Sequence, residues 1–155
     1  MESASEEDGI HAPVVALDLG QKRVGVAVSD PLAISITRLP ALPRSNWKQL
    51  LKDVVHLIQR FDAKTVVIGL PLRLNGSSGD AAIAAAQTAE KFARSLELRV
   101  YLQDERLSSV AAEENLREAG HKRSEIGEMV DSESAAIILR DFLQGDQKRV
   151  LLRPS

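Results

Sequence analysis

An aspartate interrupts an apolar stretch near the start of this chain. The stretch reads VVALDLG, and it places Asp18 on the same strand face as Val14 and Ala16, because side chains alternate between the two faces of a β-strand. A buried carboxylate without a partner is costly, on the order of several kcal/mol. Either a hydrogen bond within the protein or a bound cation must therefore offset the charge of Asp18.

Two further acids occupy positions that favour an inward orientation. Glu105 directly follows a predicted strand, and Asp131 precedes Ala135 and Ile138 on the apolar stripe of the predicted last helix. Three acids at one end of a sheet repel one another unless positive charge lies between them. Mg²⁺ or Mn²⁺ supplies such charge, and a pair of ions about 4 Å apart can activate water and stabilise the leaving oxygen of a phosphodiester. The pattern favours a cation site for metal-assisted hydrolysis.

Each acid also has a purely structural explanation. Asp18 can accept backbone N–H bonds within a hairpin turn, as aspartates often do. Glu105 can be an exposed loop acid beside Arg106, and Asp131 can interact with the dipole of its helix. These alternatives stay open for each residue taken alone. The catalytic interpretation depends on the three acids meeting in space, which the order of the elements has to allow.

The rest of the pattern predicts the elements that position the acids. Two apolar strands form a hairpin, a third strand is ended by Pro40 and Pro43, and Ser45 caps the first helix. The predicted strands cover residues 14–20, 24–29, 33–39, 65–70 and 98–103, and the predicted helices cover about 46–61, 80–96, 108–119 and 128–143. We expect an α/β domain whose mixed sheet joins an antiparallel three-strand meander to two parallel strands, with helices packed on it.

Composition excludes several classes of protein. The chain has 155 residues, of which 44% are hydrophobic, and this fits one globular domain. It has no cysteine, so disulfide scaffolds, thiolate zinc sites and cysteine nucleophiles are excluded. No apolar run is long enough to cross a membrane, and residues 1–13 lack the apolar segment of a signal peptide. We expect a cytoplasmic protein without a membrane partner.

The two ends of the chain differ in composition from its body. Residues 1–13 carry four acids and no Lys or Arg, which is typical of a disordered acidic leader. The remainder has 20 basic and 18 acidic residues, a balance that neither demands nor forbids nucleic acid. We expect a single domain over residues 14–143, followed by a polar, solvated tail over residues 144–155 that includes Arg149.

Four blocks of the chain, taken together, resemble one known family. They read ALDLGQKRVGVAVSD, VVIGLPLRLNGSSGDAA, DERLSSVAAEENL and VDSESAAIILRDFL. This combination is similar to the YqgF (RuvX-like) family of pre-16S rRNA nucleases, which are small relatives of the Holliday junction resolvases. The resemblance covers residues 14–143 and implies a ribonuclease H-like fold. It also implies a metal-dependent nuclease, with Mg²⁺ or Mn²⁺ as cofactor and with Asp18, Glu105 and Asp131 as catalytic residues and metal ligands.

Basic and polar side chains near the acids are candidates for holding the substrate. Lys22 and Arg23 lie in the hairpin turn after Asp18, where they can contact backbone phosphates. A loop with Asn75-Gly76, where the family often has Asp-Gly, leads into a helix N-terminus that favours an anion. Solvated turns and an ordinary capped helix are the structural alternatives. The predicted substrate-binding residues are Lys22, Arg23, Arg73, Asn75, Ser77, Ser78, Arg106, Lys122 and Arg123.

Three classes of function are compatible with these features. The first is hydrolysis of nucleic acid, with precursor rRNA as the substrate that the resemblance implies and branched DNA as the nearest alternative. The second is a nucleotide-binding domain of the actin and hexokinase type, but such proteins need a second lobe to close on the nucleotide. The third is a non-catalytic ribosome-associated protein whose acids bind a structural ion. A monomer favours RNA trimming, whereas a homodimer favours junction cutting.

Overall fold

The computed structural model describes residues 9–20, 22–70, 80–104, 123–145 and 149–153; the side chains of residues 81, 123–132 and 153 are outside this description. Six strands and three helices lie in the described part of the chain. The strands are β1 (Val14–Leu19), β2 (Arg23–Ser29), β3 (Ile36–Pro43), β4 (Thr65–Leu70), β5 (Arg99–Asp104) and β6 (Arg149–Arg153). The helices are α1 (Trp47–Phe61), α2 (Asp80–Ser95) and α3 (Arg123–Gln144).

The strands form one mixed sheet in the order β3-β2-β1-β4-β5-β6. The pairs β1–β2 and β2–β3 are antiparallel, and β1–β4 and β4–β5 are parallel. The predicted meander followed by two parallel strands is therefore confirmed. Because β1, β4 and β5 run in the same direction, their carboxyl ends meet at one edge of the sheet.

The two faces of the sheet are covered by different helices. On one face, alternate residues of β1 and β2 such as Leu17 and Val26 pack with residues of α1 and α2 such as Leu50 and Phe92. On the other face, the small residues at the centre of the sheet pack against α3. The residues fully or almost fully buried on this second face are Val14, Ala16, Ala27, Val67, Ala135, Ala136, Ile138, Leu139 and Phe142. Asp18 continues the alternation of Val14 and Ala16, so it lies on the α3 face.

The third strand is longer than predicted. We expected Pro40 and Pro43 to end it, but β3 runs from Ile36 to Pro43. It is an edge strand with a β-bulge opposite Gly25, where the pairing shifts between Val24 and Val26. Proline lacks an N–H group, and this is tolerated at an edge or a bulge because no ladder hydrogen bond is lost there.

The C-terminal segment is a strand rather than a solvated tail. Residues Arg149–Arg153 form β6 and pair antiparallel with β5. Arg149 donates a hydrogen bond of 2.8 Å from Nη1 to the carbonyl oxygen of Phe142, and its guanidinium lies 4.4 Å from the ring of that residue. The prediction of a solvated tail is therefore wrong for Arg149, which attaches β6 to the end of α3.

The ends of several other elements also differ from the prediction. The cap of α1 is Asn46 and not Ser45, since the Asn46 side chain accepts a hydrogen bond of 2.9 Å from the Gln49 N–H. The helix α3 begins at Arg123, five residues earlier than expected. The last part of the predicted leader is packed, because Ile10 is an apolar contact of the α3-side core. The predicted helix over residues 108–119 lies outside the described residues.

One carboxylate organises the turn between β2 and β3. The Oδ1 atom of Asp30 accepts hydrogen bonds of 2.7 Å from the backbone N–H groups of both Ile34 and Ser35, and Oδ2 accepts one of 3.2 Å from Leu32. The bond from Ser35 is the largest of the effects that hold the pKa of the Asp30 carboxyl below its ordinary value. This turn lies at the opposite end of the sheet from Asp18.

Candidate functional site

The best-defined part of the site is a row of four residues across the sheet. Asp18 pairs with Gly25 on the antiparallel side and with Gly69 on the parallel side. Gly69 in turn pairs with Gln103 on β5. Directly paired residues project to the same face of a sheet, so both strand neighbours of Asp18 present no side chain on its face. We call these two positions beside the carboxylate, which carry no strand side chain, the notch.

This notch lies near the carboxyl ends of the parallel strands. Asp18 is the fifth of the six residues in β1, and its side chain is half-buried, whereas Ala16 on the same face is fully buried. Helix α3 covers the centre of this face. A half-buried carboxylate near the edge of a buried face, with glycine at the paired position of each neighbouring strand, is suited to bind a cation or a polar substrate group.

The hairpin after Asp18 is held by an arginine that the sequence did not indicate. The backbone N–H of Arg44 donates 2.9 Å to the Lys22 carbonyl, and its Nη1 donates 2.8 Å to the Gly20 carbonyl. Its Nη2 also lies 3.4 Å from the Thr88 hydroxyl on α2. Arg44 therefore attaches the hairpin, which carries the predicted phosphate contacts, to both β3 and α2.

An ion pair attaches α3 to the outer part of the sheet. Arg38 on β3 donates two parallel hydrogen bonds to the carboxylate of Glu133, at 2.7 and 2.9 Å. The hydrogen bond to Glu133 raises the pKa of the Arg38 guanidinium further above its usual value. Glu133 lies two residues after Asp131 in α3. The pair thus restrains the part of the helix that carries the third predicted acid.

Gln103 is a functional candidate that the residue patterns missed. Its side chain is fully buried, and Nε2 donates a hydrogen bond of 2.9 Å to the Ile138 carbonyl of α3. Its Oε1 atom has no hydrogen-bond partner among the residues that the structure describes. The sequence did contain signals for this row: one polar residue in the run VYLQ, and single glycines in the strands that contain Gly25 and Gly69.

The predicted site residues are described to different extents. Lys22 is exposed and Arg23 is half-buried, and both lie in the hairpin that follows Asp18. Asp131 and Arg123 belong to α3, but their side chains are outside the description. The other predicted site residues, which are Glu105, Arg73, Asn75, Ser77, Ser78, Arg106 and Lys122, also lie outside the described residues. Of the three predicted catalytic acids, the structure therefore describes the surroundings of Asp18.

No three His, Asp or Glu side chains within the described ranges are close enough together to hold a metal ion. The described side chains include that of Asp18 but neither that of Glu105 nor that of Asp131. No helix in the same part of the chain is long and apolar enough to span a membrane.

Two solved structures of resolvases share this fold. Thermus thermophilus RuvC, in a complex with a Holliday junction substrate, aligns with a TM-score of 0.55 at 16% identity, covering 90% of this chain and 100% of RuvC. A Fowlpox virus resolvase bound to Holliday junction DNA aligns with a TM-score of 0.51 at 12% identity, covering 88% and 100% of the two chains. Together with the sheet order, these likenesses define a RuvC-type, ribonuclease H-like fold.

The chain's sequence matches one particular family of proteins. The family model described as "RuvX: Holliday junction resolvase" matches residues 12–145. The chain therefore belongs to the RuvX (YqgF) family of nucleases, as the four sequence blocks predicted. A relative from Koribacter versatilis is 37% identical over 139 residues, covering 90% of this chain and 91% of its own, and one from Chloroflexus aggregans is 38% identical over 130 residues, covering 84% and 92%. Both are named "Putative pre-16S rRNA nuclease".

Proposed function

We propose that this protein is a metal-dependent nuclease that hydrolyses phosphodiester bonds at the carboxyl edge of the parallel strands. The observation that carries the proposal is the position of Asp18. It is half-buried between Gly25 and Gly69, on the face that α3 covers. A structural aspartate in a hairpin would need neither bare neighbouring strands nor this exposure to solvent.

The order of the elements supports the participation of the other two acids. Glu105 directly follows Asp104, the last residue of β5, and β5 ends at the same edge of the sheet as β1. Asp131 lies in α3 one helical turn before Ala135, which is fully buried against the sheet. Residues four apart lie on the same side of a helix, and the orientation of Asp131 toward the sheet stays a prediction from this sequence spacing.

The donor set fits Mg²⁺ or Mn²⁺. Both ions take oxygen ligands, and the three proposed ligands Asp18, Glu105 and Asp131 are carboxylates, with a buried amide oxygen of Gln103 in the same strand row. When bound, the ions would lower the pKa of a coordinated water and stabilise charge on the phosphate. The protein's own part is to hold the carboxylates in place and to bind the phosphates on either side through Lys22 and Arg23.

We propose that the substrate is the 5′ end of precursor 16S rRNA and that the protein acts in the cytoplasm. This assignment is supported by the names of relatives that are 37% and 38% identical over most of the chain. The second candidate is cleavage of branched DNA, which is supported by the description of the family model. The three acids serve both reactions equally, so a direct comparison of substrates has to distinguish them.

The test is a panel of substrates with matched variants. Precursor rRNA, single-stranded RNA and a four-way DNA junction are incubated with the full chain, with and without Mg²⁺ or Mn²⁺. We expect metal-dependent cleavage of precursor rRNA, and a loss of about 100-fold or more in Asp18→Asn, Glu105→Gln and Asp131→Asn. Asp62→Asn is the control, since it removes the same charge from the exposed residue that caps the end of α1. Asparagine tolerates the left-handed backbone conformation of Asp62, so the cap should be preserved.

Three results separate the alternatives. Preferential cleavage of the junction would replace RNA by branched DNA as the substrate. Binding of RNA without cleavage, unchanged in Asp18→Asn, would indicate a non-catalytic ribosome-associated protein. Binding or hydrolysis of ATP in place of nucleic acid would indicate a nucleotide-binding domain.

A further inference from the structure

A buried side chain on β5 is more polar than its packing requires. Gln103 is fully buried, and its Nε2 donates to the carbonyl of Ile138. A carbonyl in a helix interior already accepts the N–H of the following turn, so it gains only a second bond from Gln103. A methionine or leucine would fill a similar volume without burying an amide, and an amide with an unsatisfied atom is destabilising. Packing alone therefore gives no reason for glutamine here.

The residue that carries this unsatisfied atom is in the same strand row as Asp18. Gln103 and Asp18 occupy the same row on the same face, and only Gly69 stands between them. Two strand spacings of about 4.8 Å separate their Cα atoms by roughly 10 Å. Because Gly69 has no side chain, no protein group of β4 fills the space between the amide and the carboxylate.

The orientation of the amide is determined by its donor. A carbonyl oxygen can only accept, so the atom that faces Ile138 is the NH₂ group and Oε1 must point elsewhere. Ser134, which is one helical turn before Ile138, also has a fully buried hydroxyl without a partner in the described part of the chain. Two buried oxygens on adjoining elements thus both lack a hydrogen bond within the described residues.

We propose that Gln103 is a positioning residue of the Asp18 site, whose Oε1 accepts a hydrogen bond from a water in the coordination shell of the divalent cation, while Nε2 anchors the amide to α3. This inference rests on the proposed metal-dependent nuclease function. The separation of about 10 Å, with the amide attached to the helix rather than lying on the sheet, leaves room for a water between the amide and a cation at Asp18. Residues that orient a metal shell in this way contribute to metal affinity without being ligands.

Two substitutions separate this role from a structural one. Gln103→Met removes both the donor and the acceptor, whereas Gln103→Glu removes the donor to Ile138 and keeps an acceptor oxygen. Gln103→Met removes a buried amide with an unsatisfied atom, so we expect its melting temperature without metal to be unchanged or raised. Gln103→Glu places a carboxylate in the same buried position, so we expect its melting temperature without metal to be lowered. We expect Gln103→Met to weaken Mn²⁺ binding by about 10- to 100-fold. We expect Gln103→Glu to bind Mn²⁺ as tightly as the wild type or more tightly.

Mn²⁺ affinity is measured by calorimetry on the full chain, with free Mn²⁺ followed by electron paramagnetic resonance. Thr65→Val is the matched control, because Thr65 is a fully buried polar residue that donates 2.7 Å to the His11 carbonyl at the opposite end of the sheet. It should lower the melting temperature and leave Mn²⁺ affinity unchanged.

Several results would overturn the inference. One is a Gln103→Met variant with the Mn²⁺ affinity of the wild type. Another is a parallel loss of affinity and stability in both variants, since a purely structural role predicts that loss. If Gln103→Met does not fold, Gln103→Glu alone decides, because a lower affinity than the wild type refutes the role. If the wild type and Gln103→Met cleave and bind Mn²⁺ equally well, only the proposed role of Gln103 is rejected. If the wild type neither cleaves nor binds Mn²⁺, the proposed nuclease function is rejected as well.

Discussion

Replacing Gly69 with alanine tests whether the notch beside Asp18 is needed for function. Gly69 is a buried residue of β4 that pairs with Asp18 on one side and with Gln103 on the other. The new methyl group would project to the same face as both side chains, at about 4.5–5.5 Å from the Cβ atom of each. It would therefore add a group between Asp18 and Gln103.

The expected effect on stability is small, because two terms oppose each other. Glycine inside a strand is less stable than alanine by about 0.5–1 kcal/mol, so the substitution gains that much in backbone entropy. Filling a space that is already occupied would cost about 1–3 kcal/mol, but Asp18 is only half-buried and the notch lies near the sheet edge. We expect a net change within about 1 kcal/mol, which corresponds to about 2–4 °C in melting temperature for a chain of this size.

The expected effect on metal binding is much larger. Mn²⁺ affinity should decrease by about tenfold or more, with a matching loss of cleavage, because a displaced or shielded carboxylate no longer completes the ion's shell. Calorimetry measures the affinity, and thermal unfolding without metal measures the stability. Val67→Ala, one row away on the same strand and face, is the control. It should cost about 2 kcal/mol of stability and leave Mn²⁺ affinity unchanged.

Two outcomes of the comparison between Gly69→Ala and Val67→Ala would contradict this prediction. If Gly69→Ala keeps the Mn²⁺ affinity and the cleavage rate of the wild type, the notch has no role in the site. If Val67→Ala loses affinity to the same extent as Gly69→Ala, metal binding reports only the stability of the sheet. The glycine row would then be a feature of packing.

Three further predictions concern other parts of the molecule. The N–H of Ser35 lowers the folded-state pKa of Asp30, so ionised Asp30 stabilises the folded state above its unfolded pKa, and this stabilisation is lost as the pH falls below about 4. The free energy of unfolding in urea, measured between pH 3 and 6, should therefore depend less on pH in Asp30→Asn than in the wild type. Arg38→Ala should lower the free energy of unfolding by about 1–2 kcal/mol, because it leaves the carboxylate of Glu133, which is 13% exposed, without its partner. A double-mutant cycle with Glu133→Gln should give a coupling energy near 1 kcal/mol, and additive effects of the two substitutions would contradict this. Lys22→Ala should reduce the salt dependence of nucleic-acid binding by about one slope unit, and an unchanged slope would remove Lys22 from the interface.

The centre of the fold was predictable from the sequence because its signals are local. The apolar runs that contain Val15 and Val66 indicate strands, and the spacing of Leu50, Val54 and Leu57 indicates α1; all of these residues are buried in one core. The two sheet edges were not predictable to the same extent. Whether Pro40 ends a strand, or whether Arg149 begins one, depends on which neighbour the segment pairs with, and that is a property of the whole sheet.

The same distinction applies to the candidate site. Asp18 was identified from its own strand, because a carboxylate in an apolar run is unusual by itself. The local signal of Gln103 is weaker, since a single glutamine at the end of a strand is ordinary in sequence. Its importance arises from the register that aligns it with Gly69 and Asp18, and from the helix carbonyl of Ile138 that fixes its amide. These contacts join segments that are far apart in the chain.

The surroundings of Asp18 also explain how an acid is tolerated within an apolar strand. A carboxylate flanked by two large side chains at this position would be desolvated, and its charge would cost several kcal/mol, on the order estimated for unpaired buried ions. Gly25 and Gly69 reduce this cost because neither adds a side chain beside the carboxylate, which stays half-buried. In the proposed site, the same two positions keep strand side chains away from the cation. The capacity to bind metal therefore depends on both glycines, and Gly25→Ala should reproduce the loss of Mn²⁺ affinity expected for Gly69→Ala.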